Sequence, residues 1–179
     1  ILYGIEQYPF NYRTLAMLQC AQIATYRQEP WCQYLFEEIE ASVSKEEKIG
    51  RHVTGSDVLA HLYLLQAEYS VALSREGNLQ EAIAFYEKSI SYAKEAKPRN
   101  FFIEGSAYLG LGEICVYQQK IGMVPQYYEK VQDILKEHPN EILTARMFLR
   151  RGFLELYTGQ EEKSRQSYQL AIDTFEMLN

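Results

Sequence analysis

The side chains that most often carry chemistry are few in this sequence: Cys20, Cys32, Cys115, His52, His61 and His138. None of them is spaced as a metal ligand, because there is no CxxC motif and no pair of these residues lies four positions apart. Cys32 and Cys115 fall at helical positions where a buried, inert thiol is the simpler interpretation. Three cysteines without close spacing do not build a disulfide framework, so we expect reduced thiols and a cytoplasmic location.

Other catalytic signals are weak. The segment LGLGE (109–113) contains two glycines, but it lacks the GxGxxG pattern and follows a helical rather than a strand pattern. The acidic runs FEEIEASVSKEE and GQEEKSRQ are explained by solvated helix faces and first turns. We therefore expect no enzyme activity, no cofactor and no metal.

Composition and charge narrow the class of protein. Of the 179 residues, 47% are hydrophobic and 23% are charged, which is normal for a folded domain. The net charge of −6 argues against a nucleic-acid surface, which needs a basic excess. No apolar run approaches the roughly 18 residues that span a membrane. The opening ILYGIEQYPF has no Met and no signal-peptide pattern, so we expect a fragment of a longer chain.

Hydrophobic periodicity predicts eight helices joined by short turns, with no strand alternation. Long helices with short connections pack as antiparallel neighbours, which predicts a single all-α domain over 1–179 with helix pairs at about 11–46, 56–96, 100–137 and 140–178. Gly77 and Gly159 are expected to separate the helices of two pairs, and Pro125 to lie in a first turn. Ser56, and Asn78 with Glu81, are expected to cap helix starts.

The second helices repeat a pattern. The segments EAIAFYEKSI (81–90), MVPQYYEKVQ (123–132) and KSRQSYQLAI (163–172) align, with tyrosines spaced by 42 and then 40 residues. Each segment has a small or β-branched residue, a tyrosine, and another such residue at spacings of four and three: Ala82, Tyr86, Ser89; Val124, Tyr128, Val131; Ser164, Tyr168, Ala171. A small residue stands twelve positions before the first of each triplet: Ser70, Gly112 and Gly152. A fixed period of this kind is typical of repeat proteins.

This pattern resembles the tetratricopeptide (TPR) repeat, in which a small residue in the first helix and a glycine at the turn precede Ala, an aromatic and Ala. GNLQEAIAFYEKSI (77–90) and YTGQEEKSRQSYQLAI (157–172) carry it most fully. The resemblance covers about 57–178, and extends to 11–46 by helix pattern alone, without a fixed register. Units of about 40 residues, rather than 34, are similar to those of bacterial regulators. The resemblance implies an α-α superhelix of about four helix-turn-helix repeats, in which the aromatic fills the gap to the next unit.

The same resemblance implies a non-enzymatic protein- or peptide-binding module with a concave groove lined by the first helix of each repeat. We expect exposed positions of those helices to be the candidate groove residues: Glu68, Arg75, Ser106, Glu113, Tyr117, Arg146, Arg150 and Tyr157. The specific form would be the sensor or scaffold segment of a bacterial regulator. The alternatives are a structural spacer or a phosphatase-type regulatory surface that acts on a partner protein. The candidate groove residues could also be exposed without binding any partner. The open apolar face of the last helix also predicts self-association.

Overall fold

The computed structural model describes residues 10–48, 55–73 and 79–178. Throughout these ranges the regular structure is helical, with no strand, and the prediction of eight α-helices is confirmed. The helices are α1 (Phe10–Arg27), α2 (Cys32–Lys48), α3 (Gly55–Leu73), α4 (Gln80–Glu95), α5 (Phe101–Tyr117), α6 (Val124–Glu137), α7 (Glu141–Tyr157) and α8 (Glu161–Glu176). A 3₁₀ turn at Ile121–Met123 leads into α6.

The helices pack as neighbouring pairs within two compact units. Unit 1 ends at Asn100 and contains α1 to α4, and unit 2 starts at Phe101 and contains α5 to α8. In unit 1, α3 packs against α1, α2 and α4, and in unit 2, α7 packs against α5, α6 and α8. The assignment of 1–179 to a single domain stays a prediction.

The first helices of three pairs end in the same turn, with one residue in the left-handed region: Gln28 (φ 54°), Gln119 (φ 58°) and Gly159 (φ 74°). After α7, the Gly159 N–H donates to the Leu156 carbonyl at 3.0 Å, and the Gln160 N–H donates to the Glu155 carbonyl at 2.7 Å. This Schellman arrangement satisfies carbonyls that the helix leaves open. Gly159 therefore separates α7 from α8 as predicted, whereas Gly77 lies outside the described residues.

The helix starts agree less well with the prediction from the sequence. Pro125 lies in the first turn of α6, as predicted. Ser56 is not a cap, because α3 already begins at Gly55. The N-cap of α4 is Leu79, which makes no side-chain capping hydrogen bond, and Asn78 lies outside the described residues. The α7 start is capped by Asn140, whose side chain accepts from the Leu143 N–H at 2.8 Å.

In unit 2, each tyrosine of the repeat pattern lies against a glycine of the preceding helix. A Cβ atom added at Gly112 would lie 3.2 Å from Cε1 of Tyr128, and one added at Gly152 would lie 2.8 Å from two carbons of the Tyr168 ring. The rings therefore occupy the space that a side chain would need. The aromatic residue was expected to fill the gap to the next unit. In the structure, Tyr128 and Tyr168 each pack against the first helix of their own pair.

Serine hydroxyls add direct links between the paired helices. Ser164 Oγ donates to the Gly152 carbonyl at 2.8 Å, and both residues are buried. In unit 1, Ser89 Oγ donates to the Ala60 carbonyl at 2.7 Å. Most buried hydroxyls in proteins have a hydrogen-bond partner, and a serine at these positions joins the two helices while needing little space.

The first pair follows the same scheme with other residue types. Cys32, Phe36 and Ile39 are buried at spacings of four and three, and the Cys32 thiol donates to the Ala21 carbonyl at 3.6 Å. Cys32 thus takes the place that Ser164 has in the last pair. Phe36 stands edge-on to Tyr69 of α3, with ring centroids 5.9 Å apart, and so reaches the next pair. These contacts give α1 and α2 the register that the sequence does not fix.

The predicted packing residues that the structure describes are buried or half-buried, apart from Gly159 in its exposed turn. The buried ones are Ala82, Tyr86, Ser89, Gly112, Val124, Val131, Gly152, Ser164 and Ala171, and the half-buried ones are Tyr128 and Tyr168. Such positions are expected to determine stability.

Replacing Gly152 should disturb the α7–α8 pair. We expect Gly152→Val to lower the free energy of unfolding by about 2 kcal/mol, because the new side chain meets the Tyr168 ring in a filled space. Gly122→Val is the matched control, since a Cβ at Gly122 meets nothing within 4 Å. Urea unfolding followed by circular dichroism measures both, and equal midpoints would contradict the packing role of Gly152.

Removing the Tyr86 ring should also be costly, since only 2% of this residue is exposed. Tyr86→Ala is expected to destabilise the protein by about 3 kcal/mol, as truncation of a buried aromatic does. Tyr26→Ala, at a position that is 72% exposed, should leave the unfolding midpoint nearly unchanged. A Tyr86 variant as stable as the Tyr26 variant would rule out Tyr86 as a core residue.

Candidate functional site

A hydrogen-bonded network joins α5 to α7 around Glu113, which is only 8% exposed. Arg150 of α7 donates from Nη1 to Glu113 Oε1 at 2.5 Å. The Tyr117 hydroxyl, one turn along α5, donates to the same oxygen at 2.9 Å. A buried carboxylate requires such partners, so the network fixes the orientation of both the arginine and the tyrosine.

Three aromatic side chains continue from this network to the surface. The Tyr117 and Phe153 rings meet at a centroid distance of 5.9 Å and an angle of 64°, and Phe153 and Tyr157 lie 6.4 Å apart. Tyr117 is 46% exposed and Tyr157 is 50% exposed. We call Tyr117, Phe153 and Tyr157 the aromatic cluster. It presents apolar area with polar ends, which is the kind of surface that tyrosine-rich interfaces use.

The environment of Tyr117 keeps its phenol protonated. Although the ring is partly exposed, the hydroxyl lies against Glu113, and its burial together with the Glu113 carboxylate raises the pKa of Tyr117 to about 12, while Arg150 lowers it. Burial also raises the pKa of Tyr128 on α6. Both phenols are therefore neutral hydrogen-bond donors near pH 7 rather than bases.

A second arginine of α7 makes a parallel connection. Arg146 Nη1 donates to Ser106 Oγ at 3.0 Å, and the Arg146 guanidinium lies 5.7 Å from the centroid of the Phe102 ring. The two arginines, four residues apart on α7, thus reach two positions on α5. This pairing holds the two first helices of unit 2 side by side.

The structure brings together part of the predicted groove set. Tyr117 and Arg150 both contact Glu113, and Tyr157 joins them through Phe153. Arg146 and Ser106 form the neighbouring pair, Glu68 is half-buried on α3 of unit 1, and Arg75 lies outside the described residues. The expectation that these positions are exposed is wrong for Ser106 and Glu113, which are 6% and 8% exposed because α5 is packed against both α6 and α7.

Sequence reasoning missed two contributions to this region. Phe153 links the aromatic cluster, and the only signal for it is its spacing of four from Tyr157. Glu155 is buried and accepts from Arg151 Nε at 2.9 Å and from Ser167 Oγ at 2.6 Å. The spacing of four between Arg151 and Glu155 is visible in the sequence, but the contribution of Ser167 on α8 is not.

A reactive cysteine or a metal site has less support in the structure. The thiols of Cys32 and Cys115 are free, and burial raises the pKa of each, which lowers the fraction of reactive thiolate. Within the described ranges, no group of three or more His, Cys, Asp or Glu side chains could hold a metal ion. Among the same residues, no helix combines the length and apolarity needed to cross a membrane.

Loss of the Glu113 charge should weaken the α5–α7 contact. We expect Glu113→Gln to destabilise the protein by about 2 kcal/mol, because the amide cannot neutralise Arg150 in this partly buried setting. Asp133→Asn is the control, since it breaks the exposed Lys136–Asp133 pair and should give no measurable change. Chemical denaturation compares the two, and equal stabilities would show that the Glu113 network contributes nothing.

Comparison with known proteins gives no relative. No protein-family model matches this sequence. Neither the curated proteins nor the solved structures contain a significant match. The aromatic cluster and the Glu113 network are accordingly the observations from which a function is proposed.

Proposed function

We propose that this chain is a non-enzymatic protein-binding module, and that its binding surface is the aromatic cluster together with Arg150. The observation that carries the proposal is the cluster itself: two tyrosines about half exposed, each in contact with Phe153, beside an arginine held by a buried carboxylate. Tyrosine and arginine are enriched among the residues that dominate binding energy at protein interfaces. Contiguous exposed apolar surface of this kind marks interaction sites.

The fixed geometry of the surface supports this function. Glu113 holds Tyr117 by its hydroxyl and Arg150 by Nη1, and Phe153 is held between the two tyrosines. Side chains that are already ordered lose less conformational entropy when a partner binds. A surface whose side chains are already ordered favours recognition of an apolar or aromatic side chain of the partner.

Arg150 supplies the polar part of the recognition. Its side chain is 35% exposed and, among the described residues, it donates only through Nη1. The guanidinium has further N–H groups, which suit a carbonyl or carboxylate oxygen. The partner segment we propose therefore combines an apolar side chain with a nearby acceptor oxygen.

The recurring contacts also favour the TPR-like superhelix implied by the sequence, which we propose as the architecture of the module. Gly112 and Tyr128 in one pair, and Gly152 and Tyr168 in the next, make the same contact 40 residues apart. The shared turn after α1, α5 and α7 adds a second recurrence. Stacked helix pairs of this type serve in general as extended binding surfaces.

Affinity capture from cell extract tests the proposal. Tyr157→Ala removes an exposed ring without opening the core, and we expect captured partners to fall by about tenfold or more, as for an interface hot spot. Tyr34→Ala is the matched control, because Tyr34 is 55% exposed and lies in unit 1. Quantitative mass spectrometry measures both, after circular dichroism has shown that both variants are folded. If both variants capture the same proteins in the same amounts as the unmodified chain, the aromatic cluster is not the binding surface.

A further inference from the structure

A concave site lies in unit 2, apart from the aromatic cluster. It is a groove of about 470 Å³ between α6 on one side and the α7–α8 turn on the other, which we call the α6–α7 groove. Its apolar wall is formed by Ile121, Pro125 and Leu154 and by Tyr128. The volume is within the range of small-ligand sites, so it accommodates a small molecule or a few residues of a peptide.

Two cationic side chains line the groove with unused donors. Arg151 donates from Nε to Glu155 at 2.9 Å, and within the described ranges its two Nη groups have no hydrogen bond or ion pair. Lys163 makes one hydrogen bond, to Gln160 Oε1 at 2.8 Å. Since a guanidinium has five N–H donors and an ammonium has three, most of their donor capacity is available to a ligand.

Two carboxylates, Glu155 and Glu129, also line the groove, and Glu155 neutralises part of the charge of Arg151. Glu155 is 8% exposed on its side chain, and its two oxygens accept from Arg151 and Ser167, so it holds the guanidinium in place. Glu129 lines the opposite side, on α6. A ligand that reaches across the groove therefore meets donors at Arg151 and Lys163 and an acceptor at Glu129.

Tyr128 gives the groove a rigid floor. Its ring is fixed against Gly112, where a Cβ would lie only 3.2 Å away. Its hydroxyl makes no hydrogen bond to any residue that the structure describes, and the phenol stays neutral near pH 7 because burial raises its pKa. A fixed ring beside unused cationic donors is a preorganised arrangement for an amphipathic anion.

From this arrangement we infer that the α6–α7 groove binds a carboxylate attached to an apolar group, with the carboxylate between Arg151 and Lys163 and the apolar group against Leu154 and Tyr128. A free small molecule and a peptide can both supply this chemistry. The site shares no residue with the aromatic cluster, so the inference stands independently of the proposed protein-binding surface.

Titration of the isotope-labelled full chain with matched probes, followed by NMR, tests the inference. N-acetyl-leucine carries the carboxylate, the apolar group and one N–H, whereas N-acetyl-leucinamide lacks only the carboxylate. We expect N-acetyl-leucine to shift the Arg151 Nε–H and the backbone signals of the groove with a millimolar dissociation constant, as fits its small size. We expect the amide to bind at least about tenfold more weakly. Equal binding of the two probes, or no binding of N-acetyl-leucine at high millimolar concentration, would overturn the inference.

A peptide arm identifies the source of the carboxylate. A blocked tetrapeptide with an aspartate beside a leucine is compared with the same peptide in which asparagine replaces the aspartate. Tighter binding of the aspartate peptide than of N-acetyl-leucine indicates a protein segment as the natural ligand, and the reverse order indicates a small molecule. If the aspartate and asparagine peptides bind equally, the peptide source is excluded.

Variants assign the binding to the groove. We expect Arg151→Gln to weaken N-acetyl-leucine binding by about tenfold, and Lys163→Gln, at an exposed position, by several-fold. Lys136→Gln is the control, because Lys136 is an exposed lysine on α6 that does not line the groove. Should Arg151→Gln unfold the chain, Lys163→Gln decides the question. Unchanged binding in Lys163→Gln would show that the carboxylate is held elsewhere.

Discussion

Unit 2 depends on the contact between a tyrosine of each second helix and a glycine of the helix before it. The rings of Tyr128 and Tyr168 occupy the positions that side chains at Gly112 and Gly152 would need. The two helices of each pair can therefore pack closely against each other. Much of each aromatic ring is covered in this way, although both tyrosines stay half-buried. The glycines lower helix propensity by about 1 kcal/mol each, and the packing of the rings offsets that cost.

The close spacing of α5 and α7 has a comparable effect on the candidate site. A Cβ at Gly105 would meet the Leu143 side chain, so α7 lies close enough for Arg150 to reach Glu113. The buried carboxylate then fixes Tyr117, and Tyr117 meets Phe153. The surface features of unit 2 are thus consequences of small residues in its interior, which carry no functional signal themselves.

The helices, their pairing and most packing positions could be predicted because they depend on local periodicity and on turn residues. The burial of Glu113 could not, since every residue of α5 from Ile103 to Val116 is buried and the helix therefore has no polar stripe to reveal its outer face. The register of the first pair was hidden because Cys32 and Phe36 stand where the other pairs have Ala, Val or Ser and a tyrosine. Gln28 and Gln119 gave no turn signal, since glutamine rarely adopts a positive φ. The meeting of Tyr117 with Phe153 depends on how α5 and α7 align, which no local pattern encodes.

The glycine and tyrosine of each contact are separated by sixteen residues in both helix pairs of unit 2. A larger residue at the glycine leaves too little room for the ring, and a smaller residue at the tyrosine leaves a void, so a change at one position favours a compensating change at the other. In diverging descendants of this chain, the two positions are expected to covary. Such covariation at a separation of sixteen would follow from this packing alone, without any shared function at the two positions.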